Sequence, residues 1–217
     1  MTLTLAVALP LAIRRWANPG LLTPLRKALA GCLLLYLTTG IIVRTQIYGL
    51  ALQEHLPLHL CGASIMLGAI MLWRASYPLY EIVYFWGIGG AIAALLTPDL
   101  PVGFPHPFFL LFFIGHGLAV TTVLFATIVI GFRPRAASVG IAIAATAGYA
   151  LLIYPVNLLL GSNYLYLLHK PERPSPLDYL GPWPWYILGL AAITVIACAL
   201  CYLPFAGRAQ PVKPGSS

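Results

Sequence analysis

The sequence predicts an all-α fold, a polytopic transmembrane bundle of six to seven membrane-spanning helices. Three observations carry that reading. The 217 residues include only 12 Lys and Arg and 5 Asp and Glu. Their mean hydropathy is +0.90. Apolar runs about as long as a bilayer is thick recur along the chain. The net charge of +7 does not indicate nucleic acid, because the basic residues lie in short loops rather than along one face or in a patch interleaved with aromatics.

A spanning helix needs about 20 mostly apolar residues. The stretches that meet this are Ala28 to Leu50, Leu58 to Trp73, Leu79 to Thr97, Phe108 to Gly131, Val139 to Leu160 and Trp185 to Phe205. An earlier stretch, Leu3 to Ala17, is short and carries Pro10. It reads as a seventh helix, an interfacial segment or what remains of a longer helix. A cleavable signal peptide is not expected, since Arg14 and Arg15 follow the apolar run instead of preceding it. Residues 1–205 are read as one transmembrane domain, and 206–217, with Pro, Gly and Ser, as a disordered cytoplasmic tail.

Lys and Arg concentrate in cytoplasmic loops. Four fall between Arg14 and Lys27, one at Arg74, two at Arg133 and Arg135, and two at Arg208 and Lys213. The alternate loops hold none around Glu54 and Asp99, and a balanced set between Gly161 and Pro182. This alternation predicts a plasma- or inner-membrane protein with a cytoplasmic C-terminus. Trp183, Trp185 and Tyr186 mark the outer end of the last helix as an interfacial belt does.

Ionisable groups inside a span are costly, so their positions are functional candidates. At about 1.5 Å per residue, Cys61 lies about 5 Å and His116 about 12 Å inside their helices, both entering from the outer side. Arg44 lies about 9 Å and Asn157 about 5 Å short of the outer ends of theirs. Asp99, Asn163 and His169 sit in the outer loops above. Glu81, at a cytoplasmic helix start, is read as structural, because a negative charge suits a helix N-terminus.

Cys61 pairs chemically with His116, because a thiol needs a base to become the reactive thiolate. His59 is two residues from Cys61 and belongs to the same site only if it remains in the non-helical entry after Pro57. Cys61, Ser64 and Gly68 form a narrow small-residue face of the kind that packs helices in lipid. Cys32, Cys198 and Cys201 read as free packing thiols. A metal site built on His59, Cys61 and His116 lacks a fourth ligand at recognisable spacing, so no metal or other cofactor is expected. Walker, nucleophile-elbow and dinucleotide motifs are absent.

Seven motifs in order carry a family resemblance: Leu56-Pro57-Leu58-His59-Leu60-Cys61, Tyr80-Glu81-Ile82-Val83-Tyr84-Phe85-Trp86-Gly87, Leu96-Thr97-Pro98-Asp99-Leu100, Gly115-His116-Gly117, Asn157 to Tyr164, His169-Lys170-Pro171 and Gly181 to Tyr186. Together they resemble the bacterial YwaF-type integral membrane proteins, which are related to the eukaryotic transmembrane acyltransferase that remodels ether phospholipids. That resemblance implies Cys61 as nucleophile and His116 as its base; membrane phospholipids, as acyl donor and acceptor, are the partners expected. Where bacterial members are expected to carry Asp after the cysteine, this chain has Gly62.

The resulting expectation is an intramembrane lipid acyltransferase or lipid ester hydrolase. Arg44, His59, Asp99, Asn157, Asn163, Tyr164 and His169 would line its substrate site in the outer-leaflet half. Arg44 would hold a lipid phosphate, and Asn157, Asn163 or backbone N–H groups near Gly62 would face an oxyanion. The competing class is a transporter or lipid-binding protein that uses the same polar cluster without covalent chemistry.

Overall fold

The structure is a computed structural model that describes residues 2–96, 98, 100, 102–171 and 174–207. It is all helical among those residues. Helix α1 (Thr2–Trp16) is followed after Ala17 and Asn18 by α2 (Pro19–Tyr48). Pro19 opens α2 because proline lacks only an N–H that the first turn cannot use. Arg26 and Lys27 therefore lie on the helix, not in the expected basic loop. A short α3 (Leu52–His55) precedes α4 (Leu60–Arg74).

Next come α5 (Tyr77–Phe85), a π-helical turn at Trp86–Gly90 and α6 (Ala91–Leu96), which run on directly from one another. Helix α7 (Pro107–Leu124) also ends in a π-helical turn, Phe125–Ile130. Helices α8 (Ala136–Leu160) and α9 (Trp185–Tyr202) are joined by a loop with 3-10 turns at Tyr164–Tyr166 and Pro176–Leu180. Pro19–Tyr48, Pro107–Ile130, Ala136–Leu160 and Trp185–Phe205 are long and apolar enough to cross a membrane, and Leu60–Arg74 is a shorter apolar helix. Asp99, Thr97 and most of the C-terminal tail lie outside the described residues.

Small residues bring α4 into the centre of the bundle. A Cβ on Gly68 would sit 3.1 Å from Thr122 Cγ2 of α7 and 3.7 Å from Val83 Cγ1 of α5. One on Gly87 would sit 2.6 Å from Val123 Cγ2, so α7 and the first π turn meet backbone against side chain. Ala63, Ser64, Ile65, Gly68, Ala69, Met71 and Leu72 of α4 are all buried. In lipid such close packing, rather than the hydrophobic effect, holds helices together.

The loops gather at two ends. At one, Arg26 donates to the carbonyls of Leu72 and, at 2.9 Å, Trp73, closing the C-terminus of α4. Arg14 donates to Ile128 O at 3.1 Å, closing that of α7. Both arginines flank the α1–α2 turn, so α4 and α7 finish at the same end and run parallel. Tyr77 reaches Arg133 O at 2.8 Å, and Lys27 stands 5.3 Å over the Trp73 ring. Arg135 holds Glu81 Oε1 at 2.6 Å, and Ser138 Oγ donates to the same oxygen at 2.6 Å. Glu81 is thus a structural group, but not as a helix-start charge: it is in the second turn of α5 and is held by a partner 54 positions away. That hydrogen bond to Glu81 raises the Arg135 pKa above its ordinary value.

Helix α1 lies along the second half of α7. Thr2 Cγ2 is at Gly117, where an added Cβ would meet it at 2.5 Å, and Arg14 is at Ile128. Its 15 residues measure about 22 Å, against about 30 Å for a hydrocarbon core.

Candidate functional site at the start of helix α4

The site is built by a chain reversal before α4. Leu58 N donates to Leu56 O at 2.8 Å, which turns the backbone at Pro57 back over the first helical turn. A Cβ on Gly62 would lie 2.6 Å from Pro57 O and 2.8 Å from its Cα. No side chain fits there. An Asp there, which the resemblance leads one to expect, would meet the Pro57 backbone.

His59 is the N-cap residue, in extended conformation (φ −64°, ψ 153°), and its side chain does not cap the helix. It is thus in the non-helical entry, as sharing a site with Cys61 requires. The first amide of the helix to find a carbonyl is Ala63 N, 3.0 Å from His59 O. The N–H groups of Leu60, Cys61 and Gly62 have no oxygen acceptor among the described residues. Cys61 carries a free, half-buried thiol within reach of the N–H groups of Cys61 and Gly62. Unpaired donors and the positive end of the helix dipole both favour negative charge here.

The mouth of α4 is anchored from α8. Tyr149 donates its hydroxyl to Leu58 O at 2.9 Å and packs on Trp86 at 5.5 Å between ring centroids. Trp86 in turn donates to Thr146 Oγ1 at 2.8 Å. Tyr149 and Tyr36 are both within electrostatic reach of Cys61.

His116 is buried and level with Cys61. Because α4 and α7 run parallel with Gly68 against Thr122, seven residues back on each brings Cys61 level with Gly115 and His116. Its Nδ1 lies 2.8 Å from Phe112 O. A carbonyl only accepts, so Nδ1 carries the proton and Nε2 presents a lone pair, the form a base needs. Tyr36 ties the two levels together: its hydroxyl donates to Leu111 O at 3.0 Å and packs onto Gly115, where an added Cβ would collide with it. Gly115 and Gly117 thus admit Tyr36 and Thr2 on either side of His116.

Arg44 is half-buried and folded along its own helix, Nη1 3.2 Å from the Cβ that Gly40 lacks, with its guanidinium carbon 6.0 Å from the Phe108 ring centroid. It has no carboxylate partner among the described residues, where the one ion pair is Arg135–Glu81. His59, Cys61 and Tyr164 are all within its electrostatic reach.

The loop after α8 forms a roof. Asn157, fully buried, donates from Nδ2 to Tyr164 O at 2.9 Å, and its Oδ1 accepts from Tyr164 N and from Ser162 Oγ, both at 2.8 Å. Its carboxamide is engaged in holding the Tyr164 turn. Tyr164 donates to Leu52 O at 2.7 Å and accepts from Leu56 N at 3.1 Å, with its ring edge-on to His59 at 5.2 Å. Burial raises its phenol above the ordinary value. His59 Nδ1 also accepts from Leu165 N at 3.4 Å. Leu165 and Tyr166 both have positive φ, 61° and 53°, a strained backbone for side chains of that size.

Asn163 organises the outer rim. Its Nδ2 donates to His169 O at 2.7 Å and lies 3.0 Å from His169 Nδ1, and its Oδ1 accepts from Leu168 N. Tyr186 of α9 donates to Tyr166 O at 2.6 Å, and Trp183, just before that helix, donates to Leu167 O at 3.2 Å.

Among the expected residues, Arg44, His59, Cys61 and Tyr164 come together, and His116 lies at their level. Asn157 and Asn163 shape the roof, His169 is exposed at its edge, and Asp99 is outside the described residues. Tyr36, His55 and Tyr149 were not foreseen. Tyrosines in mid-span, at a depth where phenols need a partner, were the available signal for the first and third. Among the described residues four buried side-chain atoms lack a partner: Thr45 Oγ1, His55 Nδ1, Ser64 Oγ and Thr122 Oγ1. Thr45 and His55 flank the mouth, Ser64 lies one turn inside Cys61, and Thr122 is at mid-bundle. None belongs to the basic end.

Fold and site together define a helical membrane protein with a thiol at an uncapped helix start. Residues 1–202 match the TMEM164 family, and the chain belongs to it. It is also similar to a Treponema pallidum (strain Nichols) protein described as an uncharacterized protein, 29% identical over 205 residues that span 93% of this chain and 82% of the relative. No solved structure matches the chain.

Proposed function

We propose that this protein is a YwaF-type intramembrane lipid acyltransferase or lipid ester hydrolase that works through a Cys61 thioester. The observation that carries the reading is the first turn of α4, where the thiol stands beside amide donors that no oxygen in the described protein accepts. Those donors suit first a thiolate and then the oxyanion of an ester under attack.

In this mechanism His116 Nε2 takes the Cys61 proton, and the sulfur attacks a lipid ester carbonyl. The oxyanion that forms is held by the amides of Cys61 and Gly62. Collapse releases the alkoxide, which His116 protonates, and leaves an acyl-thioester. An acceptor hydroxyl or water then repeats the sequence in reverse. Arg44, with no carboxylate partner among the described residues, suits a lipid phosphate. The Tyr164 turn limits entry to the lipid side. We place the site in the outer leaflet half, because Arg14, Arg15, Arg26, Lys27, Arg74, Arg133 and Arg135 belong to the opposite end of the helices.

The test uses purified protein in liposomes with an acyl-labelled phospholipid and a lysophospholipid acceptor. Wild type is expected to move or release the label, and Cys61→Ala and His116→Ala to lose that activity. Full activity in both variants rules the mechanism out. Arg44, with no carboxylate partner among the described residues, also favours a second reading, head-group binding or transport without chemistry. That reading predicts full function in Cys61→Ser.

A further inference from the structure

Among the described residues the buried side-chain polar atoms of the basic end all have partners, but its exposed cations do not. Three cations converge on one tryptophan at the C-terminus of α4. Trp73 is 55% exposed. Lys27 Nζ stands 5.3 Å over its ring, Arg26 Nη1 donates to its carbonyl at 2.9 Å, and Arg74 follows it in the chain. Arg26 is committed to the Leu72 and Trp73 carbonyls. Lys27 and Arg74 are exposed, and neither has a side-chain hydrogen bond or a carboxylate among the described residues. Glu81, the one described carboxylate at this end, is taken by Arg135.

The corner has the parts of an anionic head-group site. Arg26 covers the last carbonyls of α4, so the negative end of that helix dipole does not meet an incoming anion. Lys27 comes from α2 and Arg74 from the end of α4, so two helices offer charge next to the same indole. An indole settles at head-group level, its ring against apolar matter and its N–H toward polar groups. A free phosphate would use the cations and leave the ring bare, whereas a lipid phosphate brings apolar matter for the ring. Basic pockets between transmembrane helices hold anionic head groups in this way. Trp73 is twelve residues along α4 from Cys61, about 18 Å, so a lipid held here is not the one the thiol would attack.

We infer that the corner formed by Lys27, Trp73 and Arg74 binds the phosphate of an anionic phospholipid from the leaflet at the basic end. The lipid is a bound partner rather than a substrate, and it ties α2 to the end of α4. The inference does not depend on the thioester reading.

The test uses the full chain carrying Arg44→Gln, so that the head-group candidate at the other end does not contribute. This parent is placed in nanodiscs that mix phosphatidylglycerol with phosphatidylcholine, and native mass spectrometry reads the ratio of the two lipids that stay bound. Phosphatidylglycerol is expected to be enriched over the nanodisc mixture, and less so at high salt. Lys27→Gln and Arg74→Gln are each expected to lower the enrichment by roughly fivefold, the weight of one basic residue at an anionic surface. Lys27→Arg with Arg74→Lys, which keeps both charges, is expected to hold it. Melting in phosphatidylcholine alone should match the parent and shows that the variants are folded. Equal retention of both lipids by the parent, the outcome if the corner docks an acidic protein segment instead, overturns the inference. So does an enrichment that Lys27→Gln and Arg74→Gln leave unchanged. An equal loss in Arg15→Gln, at the end of α1, overturns it as well, since the whole end would then attract anionic lipid with no site at Trp73.

Discussion

The two ends of the bundle treat polar groups in opposite ways. At the basic end, Glu81 has Arg135 and Ser138, Tyr80 has Thr127 at 2.9 Å, Tyr84 donates to Cys201 O at 2.9 Å, and Arg14 and Arg26 close helix carbonyls. At the Cys61 end, His55 Nδ1 and Thr45 Oγ1 are buried without a partner among the described residues, and the free thiol of Cys61 stands in the first turn of α4. Unsatisfied groups destabilise a fold. Among the described residues the unpartnered buried side-chain atoms lie in that half and at mid-bundle, none at the basic end, which separates the part that holds the protein together from the part prepared for a ligand.

Substitutions test that division. The largest stability loss is expected from Arg135→Ala, which strands a 5% exposed Glu81 side chain. Removing one partner of such a pair costs about 3 kcal/mol, read as a large drop in melting temperature. Glu81→Gln with Arg135→Ala together should recover part of it. Asn157→Ala comes next: three hydrogen bonds to Tyr164 and Ser162 go, with a loss of about 2 kcal/mol and faster amide exchange in the Tyr164 turn.

Tyr149→Phe removes a single bond to Leu58 O and should cost about 1 kcal/mol. Arg44→Gln is expected to change melting least, since no ion pair among the described residues is broken, while weakening anionic-lipid binding most. A large melting loss there would erase the contrast between the ends. The roof gives a pH signature. Burial raises the Tyr164 phenol, so its contribution is complete below the ordinary tyrosine value of about 10 and fades as pH climbs through the higher folded value. Protease cutting of the loop should rise only in that alkaline window, and Tyr164→Phe should remove the dependence.

Much of this was legible in the sequence. Apolar runs mark the helices because lipid demands them, and the Arg14, Arg74 and Arg133 loops predicted the gathering at one end. Depth counting puts Cys61, His116, Arg44 and Asn157 in one half of the helices, while His59 and Tyr164 are candidates by their place beside Cys61 and in the loop after α8. What stayed hidden depends on contacts between distant positions. Gly62 reads as a missing charge until Pro57 is seen lying on it. Asn157 looks like a substrate ligand until its carboxamide is found on the Tyr164 backbone. The π turn at Trp86–Gly90, which aligns Gly87 with Val123 and Ser64, has no periodicity signal.

The central claim is that Cys61 alone, among Cys32, Cys61, Cys198 and Cys201, forms a thioester with a lipid acyl group. Intact-protein and peptide mass spectrometry after rapid quenching with a phospholipid donor measures it directly. The account predicts one hydroxylamine-sensitive acyl adduct on Cys61 that disappears in Cys61→Ala and is strongly reduced in His116→Ala. No adduct on Cys61 during turnover, or equal labelling of Cys32, contradicts it.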